Sequence, residues 1–210
     1  SYGYHALLIT HKDSPNKNLD DVIANGKNIN FGIGDPNSTS GFLVPSYYVF
    51  AQRNIEPRTT FKTVRNASHG ANIQAILAKQ LDVATNNTED MGKLESAKPE
   101  LFEQLRVLWK SPLIPSDPFV WRKDMDPAVK TKIKNFVLNY AKTDPAEKAV
   151  LKNIYNYGGF RESNNDQLIP IRQLELFKDR RKVEGDEKLN PADKSKALAE
   201  IDQKLAALKK

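Results

Sequence analysis

A chain of 210 residues with 39% hydrophobic and 28% charged side chains can bury one good core or two small ones, which argues against disorder. Its formal charge of +6 is shared between residues 178–210 and the rest and is interleaved with carboxylates. It lacks the aromatic-studded basic stripe of a single-strand binder, so no nucleic-acid partner is expected. The lack of cysteine excludes disulfide frameworks, cysteine-ligated zinc, iron–sulfur clusters and thiol nucleophiles, and no run approaches the roughly 18 apolar residues of a membrane span.

Residues 4–10 (YHALLIT) form an apolar, β-favouring run that closes at HKDSPNKN and predicts a buried strand. Leu19, Val22 and Ile23 sit at helical spacing ahead of Gly26, a good helix stop. Residues 28–33 (NINFGI) predict a strand feeding the polar turn 34–41, followed by an aromatic-rich helix to about residue 53 that Pro45 should kink. The order repeats: a strand over 61–65 and a helix over 69–79, then a strand over 82–87 and a helix from Thr88. Repeated β-α units predict a parallel sheet flanked by helices. Each strand ends in a polar cluster (PNSTS, NASHG, NNTE), and ligands of open α/β sheets bind beyond the carboxyl ends of strands, so the three clusters are expected to meet at one cleft.

Beyond residue 105, the proline-flanked segment 111–118 (SPLIPSDP) predicts a stiff connector leading to a strand over 119–122. The remainder reads as helices: one after Pro127 with Val129, Ile133, Phe136, Val137 and Tyr140 as its apolar stripe, then 146–155, 168–182, and a last one from Pro191 with Asn190 as N-cap. In that last helix Leu198, Ile201, Leu205 and Leu208 form a stripe that either folds back on its own domain or joins a second copy as a homodimer.

Nucleotide motifs fail. Gly32-Ile33-Gly34 lacks the third glycine of a dinucleotide fingerprint, and Gly41 precedes Phe42 rather than a P-loop lysine. With only His5, His11 and His69, and no HExxH, neither a metal nor a cofactor is expected, and His5 and His11 read as ordinary strand and turn residues. Ser40, His69 and Asp117 lack a GxSxG elbow, so no catalytic residue is assigned. Ser38-Thr39-Ser40-Gly41 serves equally as a helix cap or as an oxyanion site built of hydroxyls and backbone N–H groups. His69 at a helix start is either a surface histidine or a further donor to that anion. Glu89 is either first-turn capping or a ligand, and Asp117 either a turn residue or a ligand. If both acids face the cleft, it suits a small zwitterion.

The stretches FGIGDPNSTSGFLVPSYYVF, DVATNNTEDM and WKSPLIPSDPFVWRKD resemble the phosphonate-binding periplasmic proteins of bacterial phosphonate ABC importers, over nearly the whole chain. The resemblance implies an α/β, type II periplasmic binding fold: two α/β lobes joined by hinge crossings. It also implies a periplasmic location, delivery to an ABC permease, and no catalytic activity. Transferred motif by motif, it assigns the phosphonate group to Ser38, Thr39, Ser40 and His69, and the amino group of 2-aminoethylphosphonate to Glu89 and Asp117. The expected division is residues 1–10 as a hinge strand and remnant of lobe 1, 11–110 as lobe 2, and 111–210 as the second hinge with the C-terminal helical part of lobe 1. By this resemblance the family's N-terminal part is absent, and the chain is expected to be a fragment. The competing expectation is an enzyme acting on a small phosphorylated or phosphonate compound, with His69 as its acid–base group.

Overall fold

In the computed structural model, which describes residues 2–208, the first apolar run becomes β1 (Gly3–Tyr4) and β2 (Ala6–His11). Every residue of β2 is buried, as a strand covered on both faces requires. There follow α1 (Leu19–Ala24), β3 (Asn30–Ile33), α2 (Pro57–Thr60), β4 (Thr63–Asn66), α3 (His69–Leu77), β5 (Val83–Asn87), α4 (Thr88–Ala97), α5 (Pro99–Phe102), β6 (Leu105–Lys110) and β7 (Ile114–Pro115).

Five of these strands form one sheet in the order β4-β3-β5-β2-β6. β3 is parallel to both β4 and β5, and the β-α order of the sequence accounts for that. The strand ahead of those repeated units, β2, instead pairs antiparallel with both β5 and β6. An antiparallel neighbour needs no crossover helix, and a buried apolar strand carries no mark of its direction. The amino end of β2 therefore lies at the same end of the sheet as the carboxyl ends of β3, β4, β5 and β6. Beyond that end β1 and β7 pair antiparallel, Gly3 opposite Pro115 and Tyr4 opposite Ile114.

Alternation along the strands divides the core between the two faces. Leu8, Phe31 and Val83 pack with Leu19, Val22, Phe50 and Phe61 on one face, where Phe31 stacks on Phe61 at 4.6 Å. Leu7, Ile9 and Ala84 pack with Ile73 and Ile76 of α3 and with Met91 of α4 on the other. The expected strand over 61–65 begins two residues later, because Phe61 is spent in the core.

The helix expected after residue 38 is a pair of π-helical segments, Thr39–Leu43 and Ser46–Phe50. The Ser38 carbonyl accepts the N–H groups of both Phe42 and Leu43, which widens the turn. Pro45 is accommodated between the two segments.

The chain divides into two compact units, one comprising the chain up to Pro115 with that from Leu168 on, the other Ser116–Gln167. In the second unit, α6 (Pro127–Asn139) and α7 (Pro145–Asn153) are capped by Asp126 and Asp144. The strand expected over 119–122 is irregular chain, with Phe119 77% and Val120 82% exposed. β-favouring residues form a strand only against a partner, and none pairs with them among the described residues.

In the first unit, α8 (Ile169–Glu184) lays Leu174 among Tyr4, Ala6, Leu43, Val44 and Ile114, and Phe177 stacks on Tyr47 at 5.2 Å. α9 (Pro191–Ala207), capped by Asn190 as expected, packs along α8 with Ile201 buried. Of the stripe, Ile201 is buried and Leu198, Leu205 and Leu208 are half-buried, and the alternative of a homodimer contact finds no support.

Candidate functional site

The carboxyl ends of β3, β4 and β5 bring the three polar clusters together. Asp35 starts the first by accepting the Asn37 N–H on its side chain and the Ser38 N–H on its carbonyl. Ser38 is the N-cap: its Oγ accepts the Gly41 N–H at 3.0 Å, which leaves the hydroxyl proton available to a ligand. A second bond pins this turn to β3. Gly34 donates its N–H to the Gly41 carbonyl at 2.8 Å. In an α-helix that carbonyl would await the N–H of residue 45, which as proline has none. The Gly34 carbonyl in turn accepts Asn66 Nδ2 of β4 at 2.8 Å.

Ser68 caps α3, and His69 turns its ring back to the first cluster, with Nε2 3.0 Å from Ser40 Oγ. Closeness here depends on Gly41, where a Cβ would lie 3.0 Å from His69 Cε1 and 2.9 Å from Ser38 Oγ. From β5, Asn87 donates Nδ2–H to Ser40 Oγ at 3.2 Å while its Oδ1 accepts the Asp90 N–H at 2.7 Å. Asn87 therefore caps α4. Asn86 steadies the arrangement by donating to the His69 carbonyl at 3.2 Å.

Ser38 and Thr39 are half-buried, whereas Ser40 is only 3% exposed and forms the floor of the turn. Burial holds the His69 imidazole below its ordinary range, against the Asp90 carboxylate and the Thr85 backbone, both of which favour the charged ring. Nδ1 of that ring is buried and completes no hydrogen bond, although the Thr85 backbone faces the ring. The sum is a polar cluster in which the Ser38 hydroxyl proton, N–H groups at a helical start and one imidazole meet.

Glu89 stands in the first turn of α4, two residues beyond Asn87, and is half-buried. That turn is tied to the start of β2, since Thr88 N–H donates to the His5 carbonyl at 3.0 Å and His5 N–H to Thr88 Oγ1 at 3.1 Å. His5 is more than the ordinary strand residue expected: its Nδ1 donates to the Ser111 carbonyl at 2.8 Å and so links the segments flanking β2 and β6. Asp117 belongs to the second unit, where it is exposed in irregular chain. The structure thus joins Ser38, Thr39, Ser40, His69 and Glu89 at one sheet end, while Asp117 lies in a separate compact unit. Sequence reasoning missed Asn86 and Asn87 as parts of the site. Their signal was the buried-strand position of an Asn-Asn pair, which demands partners for two side-chain amides.

Among the described residues no three His, Cys, Asp or Glu side chains form a metal-binding group, and no helix is long and apolar enough to cross a membrane.

The family model described as "ABC transporter, phosphonate, periplasmic substrate-binding protein" matches residues 1–168. The chain belongs to this family and has its type II periplasmic binding fold. The phosphonates-binding periplasmic protein of Escherichia coli K12 is 52% identical over 205 residues, 98% of this chain and 60% of that protein. This chain therefore spans less than two thirds of the length of that curated relative. The binding protein component of a Pseudomonas aeruginosa ABC phosphonate transporter superposes with a TM-score of 0.88 at 47% identity, covering 100% of this chain and 68% of that one. PhnD1 from Prochlorococcus marinus, solved in complex with methylphosphonate, shares the fold with a TM-score of 0.70 at 21% identity, over 82% of this chain and 66% of that one.

Proposed function

We propose that this chain carries the ligand-binding part of a periplasmic phosphonate-binding protein that delivers its cargo to an ABC permease without chemically altering it. Family membership supports the class of ligand. The observation that carries the assignment to these residues is the joining of Ser38, Ser40, His69 and Asn87 at the carboxyl ends of β3 and β5. In this reading Ser38, Thr39, Ser40 and His69 hold the phosphonate oxygens, and Glu89 and Asp117 hold the amino group of 2-aminoethylphosphonate. Hydrogen bonds to charged groups contribute about 1.5–3 kcal/mol each, so two carboxylates suffice to prefer an aminophosphonate over a bare one. The expected division into a hinge strand, a second lobe over 11–110 and a C-terminal part of the first lobe belongs to the same proposal. Segments 3–6 and 111–115, which pair beside the site, would be its two crossings.

The Ser40–His69 distance also suits a nucleophile and its base, which gives the enzyme reading its one specific observation. Two features count against it. No GxSxG elbow lifts Ser40 out of its turn, and Asn87 already occupies one of the two lone pairs on its oxygen. Titration calorimetry with 2-aminoethylphosphonate, methylphosphonate and inorganic phosphate, followed by ³¹P spectra of the mixtures, tests the proposal. Saturable phosphonate binding with the ligand recovered intact is expected. Binding of none of the three, or a new phosphorus product formed over many turnovers, overturns it.

A further inference from the structure

Hydrogen-bond accounting around Ser40 has a consequence for the charge state in which the site binds. The Ser40 hydroxyl has one proton and two lone pairs. Asn87 Nδ2–H occupies one lone pair at 3.2 Å, and His69 Nε2 lies 3.0 Å away. When Nε2 is bare, the hydroxyl proton is spent on it and Ser40 has nothing to offer an anion. When Nε2 carries a proton, it donates to the second lone pair and the hydroxyl proton is released toward the ligand. The neutral tautomer with its proton on Nε2 would leave the buried Nδ1 bare, although the Thr85 backbone beside the ring favours its charged form. The form that arms Ser40 and is favoured by both the Thr85 backbone and the Asp90 carboxylate is the imidazolium.

We infer that binding of a phosphonate dianion here is coupled to uptake of one proton by His69, which stays on the ring and frees the Ser40 hydroxyl to donate to the anion, with Asn87 as the positioning residue that fixes the Ser40 oxygen. The inference rests on the phosphonate reading above. In the step itself a solvent proton adds to the bare ring nitrogen, the ring gains one positive charge, and the Ser40 O–H turns from His69 to a phosphonate oxygen. Around the ring, the 39–43 segment presents Ser40, β5 presents Thr85 and Asn87, and α4 presents the Asp90 carboxylate, which favours the charged form. Burial disfavours the charged ring, a cost that a bound dianion offsets, so ligand and solvent proton are taken up together.

The test is an NMR pH titration of the His69 ring in the full chain, with and without millimolar methylphosphonate, a ligand without the amine. ³¹P shifts report occupancy and the ligand's own protonation. Saturating ligand is expected to raise the His69 midpoint by at least one pH unit, about a tenfold change in proton affinity. In Asn87→Ala the rise should fall to less than half, alongside whatever stability the lost cap costs. An unmoved midpoint with ³¹P-verified occupancy overturns the coupling while leaving phosphonate binding intact, and an undiminished rise in Asn87→Ala reduces that residue to a cap. Absence of any ³¹P change at millimolar ligand refutes the phosphonate reading and the inference with it.

Discussion

Gly34 and Gly41 meet backbone to backbone: the N–H of one donates to the carbonyl of the other at 2.8 Å, and a Cβ on Gly34 would lie 2.5 Å from Gly41 Cα. The three nearest obstacles are Cα, carbonyl carbon and carbonyl oxygen of Gly41, all main-chain atoms of the turn that carries Ser38 and Ser40. Gly34→Ala is therefore expected to push the turn off β3, costing about 1–3 kcal/mol in urea unfolding. Methylphosphonate affinity should fall at least tenfold. Unchanged affinity would separate this contact from recognition.

Glu89→Gln combined with Asp117→Asn removes two formal charges without changing shape. The expected result in calorimetry is a loss for 2-aminoethylphosphonate at least tenfold greater than the loss for methylphosphonate. Equal losses for both ligands would remove the amino-group assignment. The single variants matter most for Asp117, whose unit is distinct from that of the other five residues.

Leu174 of α8 is 6% exposed and packs on Leu43 and Val44, the far side of the turn that bears Ser40. Leu174→Ala should lower stability by about 2–5 kcal/mol. Because the cavity opens beneath residues 39–43, methylphosphonate binding should weaken as well. Retained affinity with reduced stability would mean that the turn is held by Gly34 alone.

His69 also sets a pH dependence of stability. Its folded pKa is held below the unfolded value of about 6.5, so between the two the unfolded chain binds more protons and stability rises with pH. Stability should accordingly fall as the solution is acidified through pH 6.5 toward the folded pKa. Urea midpoints from pH 5 to 8 check this. The slope in that window should be shallower in His69→Gln, and an identical slope in both proteins would assign the effect elsewhere.

Much of the site was legible because β-α alternation fixes where loops gather: once strands 28–33 and 82–87 were read as parallel, PNSTS, NASHG and NNTE had to share an end. Three things were not legible. The direction of β2 was hidden, since a strand buried on both faces shows no alternation, and α1 between β2 and β3 gives it the look of one more β-α unit. Asn87 looked like any polar residue ahead of a helix, and its bond to Ser40 spans 47 positions of sequence. The apolar run at 119–122 promised a strand from composition, but pairing depends on a neighbour that local sequence does not describe.

Pro45 touches no candidate ligand atom, yet it acts by omission. By offering no N–H to the Gly41 carbonyl, it leaves that acceptor open to Gly34, and with it the seat of the Ser38 and Ser40 hydroxyls. A residue capable of donating there would bring a rival suitor for that oxygen. Recognition could then erode through a position that a survey of cargo-facing side chains would pass over.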